Sequence, residues 1–268
     1  MRLLVDGDML VFFICSACEE WSPFNKELLL EADPEKTWKG IETRLERCVE
    51  QCHDYFDETP EIVLCFSPKK NYRYDVFPDY KSNRKGKSKR VLYTQMKEKC
   101  ERLYHCEQWD NIEADDVMGI MQEKDTVICT GDKDLLQIPG FHLNLRDPDS
   151  GVFTITEEEG MKLFYRQCIS GDPVDGYHGI PMVGKQKAIK ELETFGYNFT
   201  TVVNMYAKAM TPKTKTTTSA GGTKKIVRMK SVNRGLGYAD ALLTARLAYI
   251  LRYPTDYVNG EVKLWEPA

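Results

Sequence analysis

Four short groups of acids stand out along the 268-residue chain: Asp6 in Val5-Asp6-Gly7-Asp8, then Glu113-Ala114-Asp115-Asp116, Gly131-Asp132-Lys133-Asp134, and Gly171-Asp172-Pro173-Val174-Asp175. Carboxylates brought together repel one another, so such a set either takes up protons or shares cations. Oxygen donors with no organised His or Cys beside them favour Mg²⁺ or Mn²⁺ over zinc. Mg²⁺ also keeps several waters, which leaves room for a phosphate oxygen and an attacking water. Singly, each group has a plainer reading. An acid at a strand end often caps a helix, and acids in a first turn complement its macrodipole. All four in this order, beside the basic segments described next, argue for metal chemistry.

Six basic residues and no acids lie between Lys81 and Arg90, and seven more with no acids between Lys213 and Arg234. Net charge is −4, which taken alone speaks against nucleic acid, but the average hides this separation of basic patches from acidic clusters. The separation suits a protein that holds phosphate backbone and binds divalent cations; each run by itself also fits a solvated face. Gly179-Ile180-Pro181-Met182-Val183-Gly184-Lys185-Gln186-Lys187-Ala188 puts a tight Gly/Pro turn before a helix. Backbone N–H groups at a helix start bind phosphate without reading bases. An ordinary helix–turn–helix connection is the alternative. Cys15-x-x-Cys18 and Cys48-x-x-x-Cys52-His53 have zinc-like spacing, but both pairs fall on apolar helical faces and read better as core.

The elements that must carry these residues follow from hydrophobic pattern. Leu3-Leu4-Val5, Ile62-Val63-Leu64-Cys65-Phe66 and Val127-Ile128-Cys129-Thr130 are apolar runs suited to buried strands, with Asp6 and Asp132 just past their ends. Trp38, Ile41, Leu45, Val49, Cys52 and Phe56 repeat at helical spacing over 35–56. Helices are also expected over Asp8–Trp21, over Leu92–Leu103 and from Glu113, with a loop at 67–90 and a short strand near His105–Trp109. In the helix from Glu113, that residue and Asp116 share a face by i,i+3 spacing, and Asp115 points about a quarter-turn away. Strands alternating with helices imply a mostly parallel sheet, which places ligands at the carboxyl ends of its strands. After Thr156 helices are expected at 157–169, 184–195, 199–210 and 238–252, with a mobile Thr/Lys/Gly-rich loop at 211–237.

The expected division is an α/β core over 1–156 and a helical region over 157–268. The longest apolar stretch, Met9 to Cys18, is too short for a membrane span, and Asp6 interrupts what would be a signal's apolar core. Nine cysteines with no secretory context favour reduced thiols in a cytosolic compartment.

The ordered set Val5-Asp6-Gly7, Pro78-Asp79-Tyr80-Lys81-Ser82-Asn83-Arg84, Glu113-Ala114-Asp115-Asp116, Gly131-Asp132-Lys133-Asp134, and Gly171-Asp172 through Gly184-Lys185 resembles the flap endonuclease/5′–3′ exonuclease superfamily. The size and the ending, with Ala245-Arg246 and Leu264-Trp265, are most similar to stand-alone exonucleases of podovirus-type phages. The resemblance implies a PIN-like α/β nuclease core with a helix–three-turn–helix DNA-binding region. It further implies two Mg²⁺ ions, with Mn²⁺ able to substitute, about 3.5–4 Å apart. Asp6, Glu113, Asp115, Asp116, Asp132, Asp134, Asp172 and Asp175 would hold them. Tyr80, Lys81 and Arg84 would belong to a basic arch spanning about 67–103, the bases steering the scissile phosphate and Tyr80 stacking on a base. Lys85, Lys87, Gly179, Ile180, Val183, Gly184, Lys185 and Lys187 would contact DNA, with K⁺ held by turn carbonyls. The implied substrate is duplex DNA with a 5′ end or flap, extending to RNA–DNA hybrids, in the cytoplasm of an infected bacterial host. A PIN-like ribonuclease and an inactive DNA-binding scaffold are the alternatives. One departure stands out: where the family carries an Asp soon after the second strand, Phe66 is followed by Ser67-Pro68.

Overall fold

The computed structural model describes residues 1–24, 27–84, 86, 90–209, 215–218, 224–227 and 237–267. In chain order the first elements are β1 (Arg2–Asp6), α1 (Gly7–Cys18), β2 (Glu19–Phe24), β3 (Glu27–Ala32), α2 (Pro34–Phe56) and β4 (Glu61–Cys65). Then come α3 (Arg73–Val76), α4 (Tyr93–Leu103), β5 (His105–Glu107), α5 (Ala114–Met121), β6 (Thr126–Thr130), β7 (Gly140–Asn144) and β8 (Phe153–Ile155). The remainder comprises α6 (Glu157–Ser170), β9 (Gly171–Asp172), β10 (Tyr177–His178), α7 (Lys185–Phe195), α8 (Phe199–Ala209), β11 (Lys215–Thr218), β12 (Lys224–Val227) and α9 (Gly237–Ala248). The chain divides into two compact units. One contains residues 1–72, 84–160 and 250–263, the other 73–83, 161–249 and 264–268.

The first unit is built on a sheet of order β5-β4-β1-β6-β7-β8, parallel except for β8, with helices packed against it. β1 lies between β4 and β6 and is parallel to both, so the carboxyl ends of these three strands lie side by side, the edge where such sheets place ligands. Leu3, Val5, Leu64, Val127 and Cys129 pack on one face with Leu10, Ile14, Ile41, Leu45, Cys48 and Met96 of α1, α2 and α4. α5 packs against β1 and β4. Burial on both faces is why these strands are apolar without alternation. α2 starts where Asp33 accepts the Glu35 and Lys36 N–H groups at 2.8 and 3.2 Å, with Pro34 opening its first turn. It stops at Asp57, whose φ of 56° is left-handed. Of the four cysteines paired by spacing, Cys15, Cys48 and Cys52 are buried core and Cys18 is half-buried against it.

Three expectations need correction. The helix expected to run to Trp21 ends at Cys18, and the chain turns extended at Glu19 into the β2–β3 hairpin. β7 and β8 were not anticipated, and the expected loop 67–90 contains α3 and a single 3₁₀ turn at Ser82–Arg84. The last expected helix, to 252, ends at Ala248, because the Leu251 N–H is taken by the Asp116 carboxylate at 3.1 Å. The expected basic loop 211–237 lies mostly outside the described residues; within it β11 and β12 pair antiparallel.

In the second unit α7, α8 and α9 pack in sequence, and Tyr206 donates to the Cys168 carbonyl and the Thr244 hydroxyl at 3.0 and 2.9 Å. Phe164, Tyr249 and Trp265 form an aromatic cluster beside them. Among the described residues no helix is long and apolar enough to cross a membrane.

Candidate active site

The carboxyl edge of the first unit's sheet is built around Asp6. As N-cap of α1 it accepts the Met9 N–H at 2.9 Å, and its other oxygen accepts the Thr130 hydroxyl at 3.0 Å. Thr130 ends β6 and also accepts the Asp132 N–H at 3.0 Å, so one hydroxyl ties two strand ends together. Burial pushes the Asp6 carboxyl up to about 7, and the nearby Asp8 and Asp132 carboxylates push the same way, against the opposing hydrogen bonds from Met9 and Thr130. Asp132 caps the 3₁₀ turn Lys133–Gln137, accepting the Asp134 N–H at 2.9 Å, and both acids are half-buried.

Glu113 caps α5 and is buried, whereas Asp115 in the first turn is half-buried. Asp116 is the last acid of this group. It is fully buried, and its two oxygens accept the Glu113 and Leu251 N–H groups, both at 3.1 Å. Its geometry is that of a brace holding the start of α5 and the segment after residue 250.

Asp8, two residues after Asp6 in the same motif, holds a loop and a helix to this edge. It accepts the Ser67 N–H at 2.8 Å and the Tyr93 hydroxyl at 2.5 Å, and its charge with burial raises the Tyr93 phenol. Ser67, at the departure from the family pattern, accepts the Ala114 N–H at 3.1 Å through its hydroxyl. The position therefore fastens β4 to α5. The signal available in sequence was Asp6-x-Asp8 at the end of a buried strand. Among the described residues no three His, Cys, Asp or Glu side chains gather closely enough to hold an ion between them. Asp6, Asp8, Asp132 and Glu113 are held by backbone N–H groups or hydroxyls, which partly offset the repulsion of like charges in a partly buried edge.

Asp172 and Asp175 belong to the second unit. Asp172 accepts the Val174 N–H at 2.7 Å. Asp175 accepts the Tyr80 hydroxyl at 2.8 Å, and the Lys81 ammonium lies 3.6 Å away. Tyr80 is only 2% exposed, so the base-stacking role expected of its ring is replaced by the ordering of Asp175. Lys81 also lies over the Tyr80 ring and adopts a left-handed φ of 51°. Asn83 donates to the Pro173 and Val174 carbonyls, docking the 79–83 segment onto this loop. Arg84, in the first unit, is exposed; Lys85 and Lys87 lie outside the described residues.

The turn before α7 is a shallow concavity of about 370 Å³ lined by Ser170, His178 and Gly179 to Gly184. Gly171 has a φ of 65°, and a Cβ there would sit 2.1 Å from the Gly179 nitrogen; one on Gly179 would sit 2.1 Å from the Ile169 carbonyl. Only glycine permits this crossing. Ile180 and Val183 bury their side chains, leaving backbone for any contact they make, while Lys185 and Lys187 are exposed. Gly184 caps α7 without a side-chain acceptor, so no side chain takes the first N–H groups of that helix.

A family model described as the N-terminal, resolvase-like domain of 5′–3′ exonucleases matches residues 2–165. The exodeoxyribonuclease of Enterobacteria phage T3 is 27% identical, with 99% of this chain and 92% of that protein covered. The 5′–3′ exonuclease of Bacillus subtilis strain 168 is 27% identical over 72% of this chain and 70% of its own length. Among solved structures, T5 5′-exonuclease with divalent metal ions (zinc) bound superposes with a TM-score of 0.59 at 12% identity, covering 93% of this chain and 89% of that one. That last likeness concerns the fold alone.

Proposed function

We propose a function from one premise: this chain belongs to the 5′–3′ exonuclease family, matched over residues 2–165. It is a phosphodiester hydrolase that degrades DNA from a 5′ end and cuts 5′ flaps by the same chemistry, leaving 5′-phosphates. Asp6 carries this reading. It sits at the carboxyl end of the central strand, and its carboxyl is pushed up to about 7 because burial, Asp8 and Asp132 all disfavour its charge. A cation relieves that cost, and the donors around it are oxygens, which suits Mg²⁺ with Mn²⁺ as substitute. Asp6, Glu113, Asp115, Asp132 and Asp134 are the residues that would share two such ions, each ion taking one or two of these carboxylates directly and filling its shell with water. Divalent ions held there supply Lewis acidity toward the phosphate and the attacking water. Arg84 offsets charge building on the phosphate oxygens; Lys81 does so only after leaving Asp175.

The turn 179–184 and the start of α7 are proposed to hold duplex backbone, with K⁺ among the turn carbonyls. Exposed Lys185 and Lys187 beside N–H groups without a side-chain cap support this. Replacing either lysine by Ala should weaken duplex binding alike for unrelated sequences and lower the slope of log affinity against log salt by about 1. Titrations at several salt concentrations check this, and an unchanged slope would place both lysines off the phosphates. An RNA strand paired with DNA is a further proposed substrate, and the cytoplasm of a bacterial host the proposed setting.

Duplexes labelled at the 5′ or the 3′ end, with and without a 5′ flap, test the reading when incubated with Mg²⁺ or EDTA. Short 5′-labelled products that require metal are expected. Preference for RNA would favour a ribonuclease, and binding with no cleavage in either metal would favour an inactive scaffold.

A further inference from the structure

Glu19 follows the last residue of α1, and its side chain is 4% exposed. Both of its oxygens face the segment returning from the basic stretch 81–90. Oε2 lies 3.0 Å from the Arg90 guanidinium, and Oε1 accepts the Val91 N–H at 2.7 Å. The same guanidinium lies 4.8 Å from the ring centroid of Phe12, on α1. Three residues on, the Tyr93 hydroxyl donates to Asp8 at 2.5 Å, in the first turn of α1. Two carboxylates near opposite ends of one helix therefore hold the residues just before and at the start of α4. The N-cap of that helix is Asp6.

A buried carboxylate that accepts both a guanidinium and a backbone N–H is a strong, directional anchor, because each bond is charge-assisted. A surface ion pair would be worth little, but the carboxylate here is almost wholly out of water, so screening does not dissolve the contact. The Arg90–Val91 peptide is doubly held, by its own N–H and by the arginine side chain. Position is what the anchor supplies: it ties the end of a basic segment to the helix that begins at the central acid.

We infer that Glu19 is a positioning residue for the nuclease, anchoring Arg90 and Val91 to α1 so that a 5′ strand is received beside them. This consequence rests on the proposed nuclease function, whereas the anchor stands on the contacts themselves. Trypsin cleaves after arginine, so Arg90–Val91 reports the anchor directly. In Glu19→Ala that bond should be cut about tenfold faster than in the wild-type protein, through local opening. Glu19→Gln, which keeps an acceptor for Val91 and loses the charge, should fall between the two. Both variants are then compared for affinity toward a 5′-overhang duplex and a blunt duplex in Ca²⁺, and for cleavage in Mg²⁺. For Glu19→Ala the preference for the overhang should drop about fivefold, appearing in KM with kcat little changed. Equal resistance of Arg90–Val91 in all three proteins would overturn the inference. So would a labile bond with overhang preference intact, since the anchor would then position nothing. A wild-type protein that cleaves no DNA would instead overturn the nuclease function, while proteolysis and the affinity ratio still decide the anchor.

Discussion

Asp6→Asn should lower cleavage by about a thousandfold or more while making the protein more stable at neutral pH. The two effects have one cause. The Asp6 carboxyl is raised to about 7 by burial first and by Asp8 and Asp132 beside it. In the unfolded chain it titrates at about 4. Between those values the folded protein binds the extra proton, so stability falls as pH rises through this window and stays low above it. Asn carries no charge to desolvate and still offers an oxygen to the Met9 N–H. Its advantage should be on the order of 2 kcal/mol above about pH 7 and absent below about pH 4. Urea unfolding at pH 4, 6 and 8 measures this. Mg²⁺ should stabilise the wild-type protein at pH 8 and leave the variant nearly unmoved. A variant less stable than wild type at pH 8, or one that cleaves normally, would contradict the assignment of Asp6.

Asp116→Ala should act in the opposite sense, costing about 3 kcal/mol of stability at neutral pH whether or not Mg²⁺ is present. Its carboxylate is fully buried and accepts the Glu113 and Leu251 N–H groups. Removing it leaves two interior donors without that acceptor, at about 1–3 kcal/mol each. Asp116→Asn keeps one oxygen and should lose about half as much. The comparison separates two carboxylates that look alike in sequence: one whose charge is a burden until a cation shares it, and one whose charge the backbone already uses. A destabilisation of Asp116→Ala that grows when Mg²⁺ is added would instead make it a ligand.

The central strands were legible because β1, β4 and β6 are buried on both faces and therefore apolar throughout. α2 was legible because its stripe repeats at helical spacing over many turns. The β2–β3 hairpin was not, since the apolar pattern of α1 continues to Trp21, while the chain turns where Glu19 engages Arg90 and Val91, residues distant in sequence. The end of α9 was hidden for the same reason: what stops it is a carboxylate 135 residues away in sequence. At the site the residue types were readable and the partners were not. Spacing marks Asp132 and Asp134 as acids past a strand end, and Glu113 and Asp115 as acids at a helix start. It does not reveal that Tyr80 and Lys81 spend themselves on Asp175, or that Thr130 links Asp6 to the Asp132 backbone, because those pairings join distant segments.

The crossing at Gly171 and Gly179 has a consequence for what the second unit can know about its substrate. Peptide nitrogens and carbonyls approach there more closely than any side chain allows, and the neighbouring Ile180 and Val183 turn their side chains inward. Apart from the exposed Pro181 and Met182, what such a surface offers outward is main chain, which has the same shape at every residue and nothing with which to tell adenine from guanine. On the proposed duplex contact, such a surface would measure the rise from one phosphate to the next, in the way a ruler measures a page without reading it.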